Sequence, residues 1–220
     1  MKRKSPVEKH FDKIAVNYDI YTKKRNLHYS TLKELLGNLI PPKKRVLEIG
    51  CGTGDLLASI KPRYGYGMDI SSRMISISKI KYQKSNNLYF STSWPQEKFD
   101  FIFMSDVIEH LEYPNEIFRR ILKSMGPKSI FINIMMNPVW SPVENVYSWL
   151  GLKMPEGPHN RIKYVDLRFM IEDLGMKITK HDYKLLIPIN IPFITNFANK
   201  YLERFFRKYA FIEYFTATKS

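Results

Sequence analysis

The sequence predicts an α/β fold, a doubly wound and mostly parallel sheet, from three observations. Short runs that are apolar nearly throughout alternate with longer segments of helical period, as strands covered on both faces by crossover helices require. The first run leads into three glycines, Gly50, Gly52 and Gly54, and the second ends in an acid, Asp69. No internal repeat or low-complexity tract interrupts the alternation over 220 residues, a length suited to one sizeable core, so residues 1–220 read as a single domain.

Residues 1–44 precede the alternation as a basic helical lead-in. Residues 1–45 carry twelve Lys or Arg against four acids, a net +8, and Pro41-Pro42 separates the lead-in from the first strand. Residues 45–136 form the expected ligand-binding core, with strands over Arg45–Ile49, Tyr64–Asp69, Leu88–Ser91, Asp100–Met104 and Ser129–Met135. Helices fill the gaps. Between Asn115 and Met125 the residues Ile117, Phe118, Ile121, Leu122 and Met125 make one apolar stripe, with Asn115 as its cap and Gly126-Pro127 as its stop. Residues 137–220 supply a substrate loop, a helix from Val165 to Leu174, a cap and the last strands. Pro188 and Pro192 make Leu185–Phe193 an extended segment, and Phe211–Thr218 the final strand. Between them Phe197, Tyr201, Leu202, Phe205, Phe206 and Tyr209 share one helical stripe, with Lys200, Arg204, Arg207 and Lys208 around it. That helical cap has two readings: an apolar face packed on the sheet, or a basic aromatic face that meets a membrane or an amphiphilic acceptor.

Composition narrows the partners. Thirty-five Lys plus Arg against twenty-one Asp plus Glu leave a net charge of +14, which favours anionic company. The single cysteine, Cys51, excludes an intramolecular disulfide framework and, with five histidines, argues against a zinc cluster, so no metal is expected. The opening MKRKSPVEKH has no apolar stretch behind its basic start, and no run approaches the roughly 18 apolar residues of a spanning helix. A cytoplasmic protein is expected, with peripheral membrane contact as the second reading of the cap.

The stretch from Val46 to Leu57 joins a buried strand to the three glycines and then to a helical pattern. Such a loop brings bare main chain against a nucleotide-like ligand. Nineteen residues after Gly50, Asp69 stands where a carboxylate accepts hydrogen bonds from ribose hydroxyls, so loop and acid together make a Rossmann-like cofactor site. The dinucleotide fingerprint is G-x-G-x-x-G, but here the third glycine comes one residue early and Asp55 takes the last position. Asp55 and Glu48 would repel a pyrophosphate and suit a ligand bearing ammonium and sulfonium charge, as S-adenosyl-L-methionine does.

These motifs resemble those of the class I S-adenosylmethionine-dependent methyltransferases, in particular the small-molecule group that includes the ubiquinone and menaquinone biosynthesis enzymes. The resemblance runs from about Phe11 to the final strand and implies their seven-stranded fold. Phe11-Asp12 through Ala15 to Tyr18-Asp19 is similar to the family's F-D-x-x-A-x-x-Y-D segment, whose tyrosine helps close over the cofactor. Gly67-Met68-Asp69-Ile70-Ser71 is similar to its ribose motif, which implies that Ile70 and Met74 flank the adenine. The run from Phe99 through Ser105 and Asp106 to Leu111 is similar to its fourth-strand motif, whose exit residues lie along the methionine arm. The family's usual acid after the third strand is missing, and only the hydroxyls of Ser91 and Thr92 stand there. Asn137-Pro138-Val139-Trp140 echoes an N-P-P-aromatic motif of nucleobase and amide methyltransferases, but it follows the fifth strand instead of the fourth and reads better as the start of the substrate loop.

Methyl transfer needs alignment, exclusion of water and, for a neutral acceptor, removal of a proton. The candidate imidazoles are His28, His110, His159 and His181, of which His159, in a polar turn-rich loop, and His110, after the fourth strand, are the catalytic candidates. Each has a structural alternative, and Asp106 and Glu109 read as cofactor-orienting acids. The leading expectation is a methyltransferase with a small-molecule acceptor at oxygen, nitrogen or carbon. The alternatives are an RNA methyltransferase, suggested by the basic lead-in although no RNA-binding module accompanies it, and a Rossmann-like binding protein without catalysis.

Overall fold

The predicted apolar runs become β1 (Arg45–Ile49), β2 (Tyr64–Met68), β3 (Leu88–Ser91), β4 (Phe99–Ser105) and β5 (Met125–Met136). With β6 (Met176–Lys184) and β7 (Ile212–Lys219) they form one sheet of order β3-β2-β1-β4-β5-β7-β6. Strands β1 to β5 are parallel, and β7 runs antiparallel to both β5 and β6. This is the expected doubly wound, mostly parallel sheet. The computed structural model describes residues 4–143, 149, 157, 160 and 162–220.

Alternation along each strand feeds two cores. Val46 joins a cluster under α3 (Asn26–Leu39), α4 (Asp55–Ser59) and α5 (Ser72–Lys81), where Leu32, Leu36, Leu57 and Ile75 are buried. Leu47 and Ile49 face the other side, against Phe118 and Ile121 of α6 (Pro114–Ser124) and Leu167 and Ile171 of α7 (Tyr164–Asp173). The lead-in is helical as expected, in α1 (Pro6–Ile14), α2 (Tyr18–Lys24) and the start of α3.

Two expectations need correction. Asn115 is not the cap of α6: the cap position is Tyr113, without a side-chain hydrogen bond, and Pro114 opens the helix because its missing N–H costs nothing there. The sixth strand is not legible as an apolar run because it is an edge strand, half exposed and interrupted by Lys177, Thr179, Lys180, Asp182 and Lys184. The 185–193 segment is non-helical as expected, an irregular stretch whose ends, Leu185 and Phe193, have φ of +67° and +61°. The cap that follows is broken into α8 (Ile194–Phe197), a π-helical turn over Ala198–Leu202, α9 (Glu203–Phe206) and a 3-10 turn over Arg207–Tyr209.

Because β7 is antiparallel, its first residue, Ile212, pairs with Met136 at the carboxyl end of β5 and with Lys184 at the end of β6. The whole 185–211 connection therefore sits at the carboxyl edge of the parallel strands, the edge where open α/β sheets place their ligands.

Candidate active site

The loop after β1 is built on left-handed backbone. Gly50 has φ +71° and Gly54 φ +88°, and a Cβ would lie 2.3 Å from Val107 at the first and 2.6 Å from Phe90 at the second, so both conformation and space demand glycine. The amides of Gly50 and Cys51 both donate to the Met68 carbonyl, at 2.7 and 3.0 Å, tying the loop to the end of β2. There Asp69 is buried and held rigidly: the Gly52 N–H donates to one carboxylate oxygen and the Ser71 N–H to the other, each at 2.8 Å. Burial raises its carboxyl above the ordinary carboxylate value. Glu48 is buried beside it, accepts the Leu57 N–H in the first turn of α4 at 3.1 Å, and is pushed well up by burial. The Cys51 side chain turns away into the core toward Gly67, and burial pushes its thiol up, so the loop offers only its backbone at that position.

Two acids of the lead-in bolt it over this loop. Asp12 accepts the Ser71 hydroxyl at 2.7 Å and the Arg73 N–H at 3.3 Å, while Ser71 itself caps α5. Asp19 accepts the Thr53 hydroxyl at 2.6 Å and pairs with Lys81 at 2.7 Å, which also reaches Asp55 at 2.7 Å. Tyr18 is thereby laid on the glycine loop, where a Cβ at Gly52 would meet its ring at 3.2 Å, and its hydroxyl bonds Tyr29 at 3.0 Å. Met74 lies beneath this segment, buried with Ile14 and Ala15, whereas Ile70 is exposed at the rim.

The exit of β4 completes the cleft. Ser105 presents a buried hydroxyl with no hydrogen-bond partner among the described residues. Asp106 adopts φ +54°, a left-handed conformation that costs a non-glycine residue about 1 to 2 kcal/mol, and its carboxylate meets Nε2 of buried His28 at 3.0 Å. Burial pushes His28 down toward its neutral form. Burial would raise Asp106, but His28, Arg25 and His110 hold its carboxyl below the usual value. His110 packs edge-on against Phe11, with ring centroids 5.2 Å apart. Tyr18, Tyr29, Glu48, Thr53, Ser105 and Asp106 thus surround one narrow cleft over the glycine loop, about 30 Å³ in volume.

His159 lies outside the described residues. Of its described neighbours, Gly157 sits so close to His10 that a Cβ would approach the ring to 2.8 Å, and the Asn160 N–H donates to the Glu109 carbonyl at 2.5 Å. His181 is elsewhere, on the edge strand β6, stacked on Tyr164 of α7 and bonded to Glu213 of the neighbouring β7.

A family model described as a methyltransferase domain matches residues 21–180, from α2 into β6. The chain belongs to this methyltransferase family. It is 29% identical over 164 residues to a ubiquinone biosynthesis O-methyltransferase of Rhodopseudomonas palustris (strain BisB5), an alignment covering 66% of this chain and 63% of the relative. The chain thus spans less than two thirds of the length of that curated relative. An S-adenosylmethionine-dependent methyltransferase from Thermotoga maritima superposes with a TM-score of 0.72 at 13% identity, over 97% of this chain and all of the other. Magnesium protoporphyrin IX methyltransferase from Synechocystis PCC 6803, solved with bound S-adenosylhomocysteine, superposes with a TM-score of 0.60 at 19% identity, over 93% and 87%. The expected class I methyltransferase fold is the observed one.

Within this methyltransferase domain the contacts with no local signal in the sequence are those of Thr53, Lys81 and Tyr29 and the His28–Asp106 pair. The F-D-x-x-A-x-x-Y-D segment contained both anchoring acids, but their partners lie 34 to 62 residues away and no local pattern announces them. Asn137 is also re-read. Its side-chain N–H groups donate to the carbonyls of Lys208 and Ala210, both at 2.9 Å, and its side-chain carbonyl accepts the Val139 N–H, so it braces the cap from the end of β5. The Ser91 hydroxyl, which stands where the family has its adenine-contacting acid, accepts the Ser93 N–H at 3.1 Å.

Proposed function

We propose that this chain is an S-adenosylmethionine-dependent methyltransferase whose acceptor is a small amphiphilic molecule, lipid-linked or anionic. The observation that carries the reading is the Asp69 carboxylate, clamped by two backbone N–H groups yet with lone pairs to spare, beside a glycine loop whose positions 50 and 54 admit no Cβ. The cofactor supplies an electrophilic methyl on a sulfonium centre. In this reading Asp69 receives the ribose hydroxyls, Gly50, Cys51, Gly52 and Gly54 offer main chain, and Glu48 and Asp106 face the cationic end. Ile70 flanks the adenine from the rim, while buried Met74 supports that side from below. The unpartnered Ser105 hydroxyl lies along the methionine arm, and Tyr18 closes over it. His159 and His110 are the groups proposed to orient or deprotonate the acceptor.

Charge linkage makes one prediction. Asp69 and Glu48 both lie above their ordinary values of 3.8 and 4.5 because they are buried, and a cationic ligand favours their ionised forms. Binding therefore lowers both and releases protons, so affinity rises with pH from the ordinary carboxylate range upward and levels off once both are ionised. Calorimetry in two buffers of different ionisation enthalpy measures the released protons; proton uptake, or affinity falling as pH rises, contradicts the proposed charge pairing.

The reaction itself is tested by incubating the protein with methyl-labelled cofactor and fractionated cell extract, then locating the label by mass spectrometry. Label in a small amphiphilic compound is the expected result. Label confined to RNA would favour the nucleic-acid alternative, and cofactor binding without any labelled product would favour a binding protein.

A further inference from the structure

The cap over residues 193–206 is amphipathic the wrong way round for an aqueous surface. Thr195, Asn199 and Glu203, spaced four apart, form the stripe that faces the protein. The Thr195 hydroxyl accepts the Ile191 N–H and donates to the Ile189 carbonyl. Asn199 brackets Ile187, accepting its N–H at 2.8 Å and donating to its carbonyl at 3.1 Å, and Glu203 accepts the Leu185 N–H at 2.7 Å. The polar stripe is consumed in holding the irregular 185–191 stretch of chain. The aromatic stripe consequently faces outward: Phe193 is 90% exposed, Phe197 57%, Tyr201 52%, Phe205 66% and Phe206 51%. Contiguous exposed aromatic surface of this kind marks an interaction site, because water is displaced from it on contact with an apolar partner.

We infer that this face docks on an anionic lipid surface. The occupant is argued from charge. Lys200, Arg204 and Lys208 are all exposed on the same segment, and Lys200 and Arg204 lie over the rings of Tyr201 and Phe205, at 5.2 and 4.5 Å from the centroids. Long cationic side chains flanking aromatic rings suit the boundary between headgroups and acyl chains, where rings enter the apolar layer and the cations reach anionic headgroups. The one acid of the helical stretch, Glu203, is turned inward against Leu185 and Lys184. A second copy of the chain is a poorer occupant, since a two-fold contact would place two sets of these cations against each other on a molecule already at +14. The docked face lies at the edge of the sheet that carries the glycine loop. Phe211, at the end of the cap, packs edge-on against His28, the partner of Asp106, with centroids 5.4 Å apart. A bilayer bound there brings the mouth of the cleft close to molecules dissolved in it. This deepens the amphiphilic-acceptor reading and rests on it only for the use made of the contact; the docking stands or falls separately.

The test is flotation of the purified chain with vesicles of phosphatidylcholine alone and of phosphatidylcholine with phosphatidylglycerol, with cofactor affinity measured in parallel. The expected result is co-flotation with the anionic vesicles, and about a tenfold or greater loss of the bound fraction in the double variant Phe197→Ser, Phe205→Ser. The variant is expected to keep its circular dichroism and cofactor affinity, because both side chains are exposed. A second variant, Lys200→Glu with Arg204→Glu, should abolish the preference for anionic over neutral vesicles. No flotation with either vesicle overturns the inference, as does binding that the serine variant retains, which would make it a mere effect of net charge. A concentration-dependent dimer that the serine variant dissolves would assign the face to a second copy and overturn it too. Flotation without cofactor binding would instead count against the proposed function alone.

Discussion

Replacing His159 by alanine is expected to slow methyl transfer by about a hundred- to ten-thousand-fold while leaving cofactor affinity nearly unchanged, the signature of a lost general base. A neutral acceptor must give up a proton as the methyl arrives, and an imidazole within reach can take it. Of the described residues beside His159, Gly157 packs against His10 of α1 and the Asn160 N–H is bonded to the Glu109 carbonyl beyond the exit of β4. His110 is the competitor, next to Asp106 and packed on Phe11. Single-turnover rates on the identified acceptor, measured across pH for both alanine variants, separate them: the variant lacking the base loses the acidic limb of the profile. Unchanged turnover in His159→Ala rejects its role.

The Asp69→Ala variant should bind S-adenosylmethionine roughly ten- to a hundred-fold more weakly, since hydrogen bonds to a charged acceptor contribute about 1.5 to 3 kcal/mol. The same carboxylate also receives the amides of Gly52 and Ser71, so alanine loosens the loop as well as the ribose contact. Asp69→Asn retains one acceptor and offers a donor where two N–H groups already point, so it should be no better than alanine. Titration calorimetry checks both. Wild-type affinity in either variant, or tight NAD binding by the parent chain with none for the sulfonium cofactor, would remove Asp69 from the site as proposed.

These two residues illustrate how unevenly the site was legible. Asp69 could be placed from sequence because its position follows from a strand, a glycine turn and a second strand, each with a local signal. The anchoring of the lead-in could not. Asp12 to Ser71 and Arg73, and Asp19 to Thr53 and Lys81, are polar contacts between elements far apart in the chain, with no periodicity to expose them. The His28–Asp106 pair joins residues 78 apart, and His28 had no better claim from sequence than three other imidazoles. The edge strand β6 was missed for a different reason, because a strand with one neighbour and a half-exposed face carries no apolar run.

The sequence by itself determined the parallel sheet, the order of strand and helix, the glycine loop and its acid. Those are set by local requirements: burial on both faces of a strand, and backbone conformations that only glycine adopts cheaply. Tertiary structure decided which face of the C-terminal aromatic stripe meets water. Helical spacing of the aromatic residues establishes only that the segment has two unlike faces. Which one turns inward depends on what the neighbouring chain needs, and here the irregular segment from Leu185 to Ile191 leaves backbone amides and carbonyls that Thr195, Asn199 and Glu203 satisfy. Unpaired buried backbone costs more than an exposed ring, so the polar face went inward and the aromatic face was left outside.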